Sequence, residues 1–148
     1  MAGLETDALL RAHVYDVALR TGRIPLSAEC ATATGRAQAD VLAAFARLAA
    51  GHELVLQPDG EILMAMPFSA VPTPCVVQAG GWRTFANCGW DALGAAAMLG
   101  RPATVLSSCG DCGAAIRLDV DANGPRGGGA VLHLALPVRE WWRSIVFT

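Results

Sequence analysis

The feature that most constrains the fold is a change of hydrophobic periodicity near Gly51. Before Gly51, apolar residues recur three and four positions apart, which predicts helices. After Gly51, short apolar runs are separated by Gly and Pro, which predicts strands, and Pro58-Asp59-Gly60 suits a hairpin turn between two of them. The predicted fold is therefore α+β, with an N-terminal helical module packed on a mixed or antiparallel β-sheet core that holds one central helix.

Residues 1–66 form the first predicted domain, a winged-helix-like module of three helices followed by a hairpin. Thr6 and Ser27 are candidate N-caps of the first two helices. The module carries five arginines and eight acidic residues, a net charge of −3. Because DNA affinity depends on neutralising phosphates, nucleic-acid binding is not expected, and a helical cap on the second domain is the favoured interpretation.

Residues 67–148 form the second predicted domain, in which strands surround one helix. A proline-rich stretch at 66–74 reads as an extended connector. The central helix follows Cys88 and ends near Gly100. Strands are predicted at 75–78, 82–85, 103–107, 115–120 and 130–136 and from 145 onward, with a loop at 121–129.

Cys88 stands where the strand ending at Phe85 gives way to the central helix, and Asp91 follows three residues later. At a helix start, the two side chains lie on the same side of the first turn. The free N–H groups and the helix dipole there favour a thiolate, and a carboxylate beside it can move a proton. The alternative is a buried cysteine beside an ordinary capping aspartate.

Cys109 and Cys112 form a Cys-x-x-Cys turn, which supplies only two of the four ligands that structural zinc requires. Reduced turn cysteines, a reversible disulfide and a soft-metal site remain open. The acidic start, Met1 to Asp7, is unlike a signal peptide, and no apolar run has the length of a membrane span. We therefore expect a cytoplasmic protein with reduced cysteines and no membrane partner.

Five short motifs of the second half of the chain form a distinctive set. They are Phe68-Ser69-Ala70-Val71-Pro72-Thr73-Pro74, Phe85-Ala86-Asn87-Cys88-Gly89-Trp90-Asp91-Ala92-Leu93, Leu99-Gly100-Arg101, Ser107-Ser108-Cys109 and Gly113-Ala114. Together they resemble the alkylmercury (organomercurial) lyase family, most strongly from Phe68 to Val120. The resemblance implies that Cys88 is the catalytic mercury-binding thiol and that Asp91 transfers the proton. It also implies cleavage of R–Hg⁺ to the hydrocarbon R–H and Hg²⁺ without a cofactor, as an activity of mercury resistance.

The sequence departs from the family at the second catalytic cysteine, which the family takes from a strand late in the chain. The run from Trp141 to Thr148 resembles the stretch ahead of that strand, and no cysteine follows Cys112. We therefore expect impaired cleavage, with Cys75, Cys109 or Cys112 as candidate substitutes. The alternatives are a noncatalytic soft-metal-binding thiol protein and a metal-responsive winged-helix regulator. The expected partners are an organomercurial and, for release of Hg²⁺, a mercuric reductase or low-molecular-weight thiols.

Overall fold

The computed structural model describes residues 2–127 and 129–147. Three helices come first, a fourth lies in the middle of the chain, and a short 3₁₀ helix lies near its end. None of the helices in the described ranges combines the length and the apolarity needed to cross a membrane. The helices are α1 (Ala2–Thr21), α2 (Ser27–Thr34), α3 (Gln38–Ala50), α4 (Gly89–Met98) and the 3₁₀ helix Val138–Arg143.

The strands form one eight-stranded sheet in the order β1-β2-β3-β5-β4-β6-β7-β8. Every neighbouring pair is antiparallel, so the predicted α+β class is confirmed and the sheet is antiparallel rather than mixed. The strands are β1 (Val55–Leu56), β2 (Ile62–Ala65), β3 (Phe68–Ser69), β4 (Val76–Ala79), β5 (Trp82–Ala86), β6 (Ala103–Ser108), β7 (Ala115–Asp121) and β8 (Gly124–Arg126).

One hydrophobic core joins the N-terminal helices to the sheet. Leu10 of α1 and Phe45 of α3 belong to the same buried cluster as Val77 of β4 and Ala95 of α4. The hairpin of β1 and β2 continues through β3 into the rest of the sheet. The predicted division into residues 1–66 and 67–148 therefore falls within a continuous sheet and core, and it stays a prediction.

Two predicted helix caps are wrong. Thr6 lies inside α1, which begins at Ala2, because strong helix formers precede Thr6. Leu26, with an extended backbone (φ −73°, ψ 158°), occupies the N-cap of α2. Ser27 is the first helical residue, and its hydroxyl donates to Glu61 instead of capping the helix.

The proline-rich connector contains an unpredicted strand. Phe68 and Ser69 form β3, which pairs with β2 on one side and β5 on the other. Phe68 is fully buried, and its ring meets Tyr15 edge to face at 6.3 Å between centroids. Burial of this one aromatic ring holds an extended segment in the sheet despite the neighbouring prolines.

The predictions for the C-terminal part of the chain are partly wrong. The predicted loop contains β8, where Gly124 (φ +101°) allows a tight hairpin back onto β7. Residues 130–136 form no strand, because Pro125 lies in the edge strand β8 and offers no N–H for a further ladder. Phe147 N–H bonds the carbonyl of Ser144 in a turn where a last strand was predicted, and Thr148 lies outside the described residues.

Candidate active site

The strand-to-helix junction after β5 places Cys88 at the N-cap of α4. Its backbone is extended (φ −153°, ψ −176°), and its carbonyl accepts the first helical hydrogen bond from Ala92 N–H at 2.9 Å. The Sγ atom accepts from the backbone N–H of Asp91 at 3.5 Å between N and S. The predicted helix start is thus present, with the thiol directed at the first turn.

Cys88 is half-buried, and its thiol is less acidic than the sequence led us to expect. Burial raises the pKa of Cys88 above its usual value, and the charge of Asp91 adds to that rise. Hydrogen bonds from the N–H groups of Asp91 and Trp90 lower the pKa but do not outweigh burial. This direction of the pKa does not favour a thiolate in the unliganded site, and the expected thiolate stays a prediction.

Asp91 shares this half-buried environment, and burial raises the pKa of its carboxyl. The carboxylate accepts from Asn87 Nδ2 at 3.1 Å. This bond and the neighbouring Cys88 thiol lower the pKa but leave it above the usual value. The Cys88 thiol and the Asp91 carboxylate lie at the same first turn of α4, where a carboxylate can accept a proton from a thiol.

Asn87 holds the carboxylate of Asp91 from the end of β5. Its own N–H donates to the carbonyl of Pro67 at 3.3 Å, which fixes its backbone beside the cis peptide Met66–Pro67. Its Oδ1 is buried and accepts no hydrogen bond within the described part of the chain. Asn87 was not predicted to be a site residue, although it lies immediately before Cys88 in the sequence.

Side chains from distant parts of the chain line the same region. Tyr15 of α1 approaches the segment at Met66 and Pro67, to which the Asn87 backbone also bonds. The Tyr15 hydroxyl donates to the carbonyl of Met66 at 2.9 Å. A Cβ atom built on Gly89 would lie 3.2 Å from the Leu132 side chain, so residue 132 covers the first turn of α4. The site is therefore shielded from both ends of the chain.

Cys75 is the second cysteine at this end of the sheet. It precedes β4, is 8% exposed, and its Sγ lies 3.4 Å from the hydroxyl of Ser107 on β6. Its carbonyl accepts the N–H of Ala86, two residues before Cys88, at 2.9 Å. The structure thus brings Cys75 towards Cys88, which the sequence spacing of the two residues does not indicate.

Cys109 and Cys112 form the predicted turn after β6, closed by a hydrogen bond from Gly113 N–H to the Cys109 carbonyl at 2.9 Å. The N–H groups of Cys112 and Asp111 and the Cys112 thiol lower the pKa of Cys109. Cys112 is exposed. In residues 2–127 and 129–147, no three His, Cys, Asp or Glu side chains converge to hold a metal ion. The turn is an accessible dithiol.

A groove at the opposite end of α4 is separate from this chemistry. Its volume is about 600 Å³, and its lining includes Leu93 and Ala96 of α4 and Pro125 of β8. No cysteine lies among its lining residues. The groove is therefore not part of the candidate site around Cys88.

Comparison with known proteins decides the family. A family model described as alkylmercury lyase matches residues 68–148, more than half of the chain. The chain belongs to the alkylmercury lyase family. Members need no cofactor, because mercury is their substrate and product. The resemblance carried by the sequence motifs is thereby confirmed.

A solved structure shares the fold. The crystal structure of the mercury-bound form of MerB2 superposes with a TM-score of 0.62 and is 24% identical in sequence. The match covers 83% of this chain and 59% of that chain, so the chain spans less than two thirds of the structure that it resembles. No curated protein matches the sequence.

Proposed function

We propose that this protein cleaves the carbon–mercury bond of organomercurials by protonolysis. Cys88 is the mercury ligand, and Asp91 is the proton-transfer residue. The observation that supports this proposal is the hydrogen bond from the Asp91 N–H to the Cys88 sulfur, which holds the two residues together at the first turn of α4, within the segment that matches the family model.

The first step is the exchange of the Cys88 proton for mercury. R–Hg⁺ binds Sγ because a soft cation prefers sulfur to the oxygen and nitrogen atoms nearby. The S–H proton passes to Asp91, whose raised pKa suits it to accept and hold a proton. A bond forms between sulfur and mercury, and the carbon–mercury bond is still intact.

The second step is the return of that proton to carbon. Electron density donated by sulfur weakens the carbon–mercury bond, and the carbon takes both bonding electrons as Asp91 protonates it. R–H leaves, and Hg²⁺ remains on Cys88. The sum is R–Hg⁺ + H⁺ → R–H + Hg²⁺. Asn87 keeps the Asp91 carboxylate facing the reacting atoms through its 3.1 Å hydrogen bond.

Release of Hg²⁺ requires an acceptor thiol. Cys109 and Cys112 supply an accessible dithiol two residues beyond Ser107, which itself contacts Cys75. We infer that this dithiol takes part in passing Hg²⁺ to low-molecular-weight thiols or to a mercuric reductase. All five cysteines are free, in keeping with a reducing, cytoplasmic setting.

The N-terminal residues 1–66 act in this proposal as a cap that contributes Tyr15 to the site wall. The net charge of residues 1–66 argues against the alternative of a metal-responsive DNA regulator. These residues carry five arginines and eight acidic residues, a net charge of −3, which repels DNA phosphates. The alternative of a noncatalytic soft-metal-binding protein has a specific observation in its favour, the dithiol whose Cys109 thiol has a lowered pKa. Impaired cleavage remains a prediction. Its physical reason is that a single thiolate donates less electron density to mercury than two thiolates do.

The test is an assay of both products. The protein is incubated with phenylmercury and excess low-molecular-weight thiol, and benzene and Hg²⁺ are measured over time. We expect equal amounts of both from the wild type and neither from Cys88→Ser. Cys30→Ser is the matched control, because Cys30 is fully buried in α2. Binding of phenylmercury without benzene would favour the noncatalytic alternative, and equal mercury binding by Cys88→Ser would end the assignment of Cys88.

A further inference from the structure

Cys75 is fixed by backbone hydrogen bonds at the entrance to β4. Its carbonyl accepts from Ala86 N–H at 2.9 Å, and its N–H donates to the Thr73 hydroxyl at 3.2 Å. Thr73 in turn donates to the carbonyl of Ala86 at 2.6 Å. Cys75 thus lies directly beside Ala86, the last residue of β5, and Ala86 is two positions before Cys88 in the sequence.

The sheet register places the Cys75 side chain on the face that α4 covers. Val76 pairs with Phe85 and Leu106, so Cys75 continues both ladders opposite Ala86 and Ser107. Side chains alternate between faces along a strand, so Cys75 shares its face with Val77. Cys75 and Val77 belong to the same buried cluster as Ala92 and Ala95 of α4. Both sulfurs are therefore at the end of the sheet where α4 begins.

The Cys75 sulfur also has a polar partner in an otherwise apolar position. The Ser107 hydroxyl lies 3.4 Å from Sγ, and Ser107 is only partly buried. A cysteine that only filled the core would need no such partner. The hydroxyl can donate to a thiolate and hold it in place, which a mercury ligand requires because it must lose its proton.

We propose that Cys75 is the second sulfur ligand of mercury bound at Cys88. The proposal rests on the proposed mercury binding by Cys88, but not on cleavage. Two sulfurs satisfy Hg²⁺, which favours linear two-coordinate binding by thiolates, so no third ligand is needed. Binding is written Hg²⁺ + 2 R–SH → Hg(S–R)₂ + 2 H⁺, in which two S–Hg bonds form and two protons leave.

As a second ligand, Cys75 supplies electron density that a single thiolate cannot give to mercury. Once R–Hg⁺ is bound to Cys88, a second sulfur adds electron density to mercury and weakens the bond to carbon further. Ser107 is a positioning residue in this scheme, because its hydroxyl contacts the sulfur of Cys75 and acts on mercury through it. Cys75 thus acts as a second thiol beside Cys88.

The test counts sulfur atoms around bound mercury. It uses the full chain carrying Cys109→Ser and Cys112→Ser, which removes the exposed dithiol and leaves Cys30, Cys75 and Cys88. X-ray absorption spectra of the complex with one equivalent of Hg²⁺ should show two sulfur neighbours. Adding Cys75→Ser should leave one. The proposal would be overturned if mercury had only one sulfur neighbour while Cys75 is present, or still had two sulfur neighbours in the variant with Cys75→Ser.

Affinity gives a second measurement that does not depend on spectroscopy. In the same background, Cys75→Ser should weaken Hg²⁺ binding at least about 100-fold in competition with a chelating dithiol, since loss of a ligand exceeds the 10- to 100-fold effect of losing a ligand's partner. Cys30→Ser should leave the affinity unchanged, and circular dichroism checks the fold of each variant. If Cys75→Ser keeps its Hg²⁺ affinity while Cys88→Ser loses it, this proposal alone is rejected. If Cys88→Ser also binds Hg²⁺ as tightly as the parent protein, the proposed function is rejected as well.

Discussion

At the residue scale, burial raises the pKa values of both Cys88 and Asp91. The raised pKa makes the Asp91 carboxyl a better acceptor for the proton that mercury displaces from Cys88. The sequence predicted the pair because the three-residue spacing and the helix start are local features. It did not predict the state of the thiol, because burial depends on distant residues such as Leu132.

Asp91→Asn separates binding from cleavage. The amide keeps the size of the side chain and its hydrogen bonding but cannot carry the proton. We expect phenylmercury binding to remain near the wild-type level and benzene release to fall about 10²- to 10⁴-fold, the usual effect of removing a general acid. Equilibrium binding and single-turnover benzene release measure the two effects. Undiminished release would exclude Asp91 as the proton donor.

At the scale of elements, buried polar contacts fix how α2 meets the hairpin. Ser27 is fully buried, its hydroxyl donates to Glu61, and Gln38 Nε2 donates to that hydroxyl at 2.8 Å. The sequence indicated the helix and the hairpin but assigned Ser27 to capping, because a contact across 34 residues is not visible in local spacing.

Ser27→Ala should therefore destabilise the fold although it removes one atom. The substitution removes the hydroxyl's bonds to the Glu61 carboxylate and to Gln38 from a fully buried position, while Glu61 keeps its bond from the Ser27 N–H at 2.8 Å. Loss of a hydrogen bond to a charged group costs about 1–3 kcal/mol of unfolding free energy. Urea denaturation measures the change. Thr32→Ala is the control, because Thr32 is exposed and bonds only the carbonyl of Ala28 in its own helix. A loss in Ser27→Ala no larger than in the control would contradict the role of this contact.

At the scale of the whole molecule, β3 joins the N-terminal helices to the sheet that carries the site. The sequence predicted the α+β class and the position of α4 from periodicity and turn residues. It missed β3 and the approach of Cys75 to Cys88, because both depend on strand pairing between distant segments. It wrongly predicted a strand at 130–136, because an apolar run forms a strand only where an edge is free to pair.

Phe68→Ala tests this continuity. Phe68 is fully buried between the helices and the sheet, so its loss should cost about 3–5 kcal/mol of unfolding free energy. Helix content, dominated by residues 2–50, and the tryptophan fluorescence, to which Trp82 in β5 contributes, should then change together in one transition at lower urea. Two separated transitions, with the sheet unaffected, would instead show that residues 1–66 and 67–148 fold as independent domains.

The most direct measurement for protonolysis at Cys88 and Asp91 follows the hydrogen that reaches carbon. Phenylmercury is cleaved in heavy water, where the Cys88 thiol and the Asp91 carboxyl exchange their protons for deuterium. Benzene from the wild type should carry one deuterium and appear in equal amount to Hg²⁺, more slowly in Asp91→Asn and not at all in Cys88→Ser. Unlabelled benzene, or mercury held on Cys88 with no benzene released, would contradict cleavage by this pair.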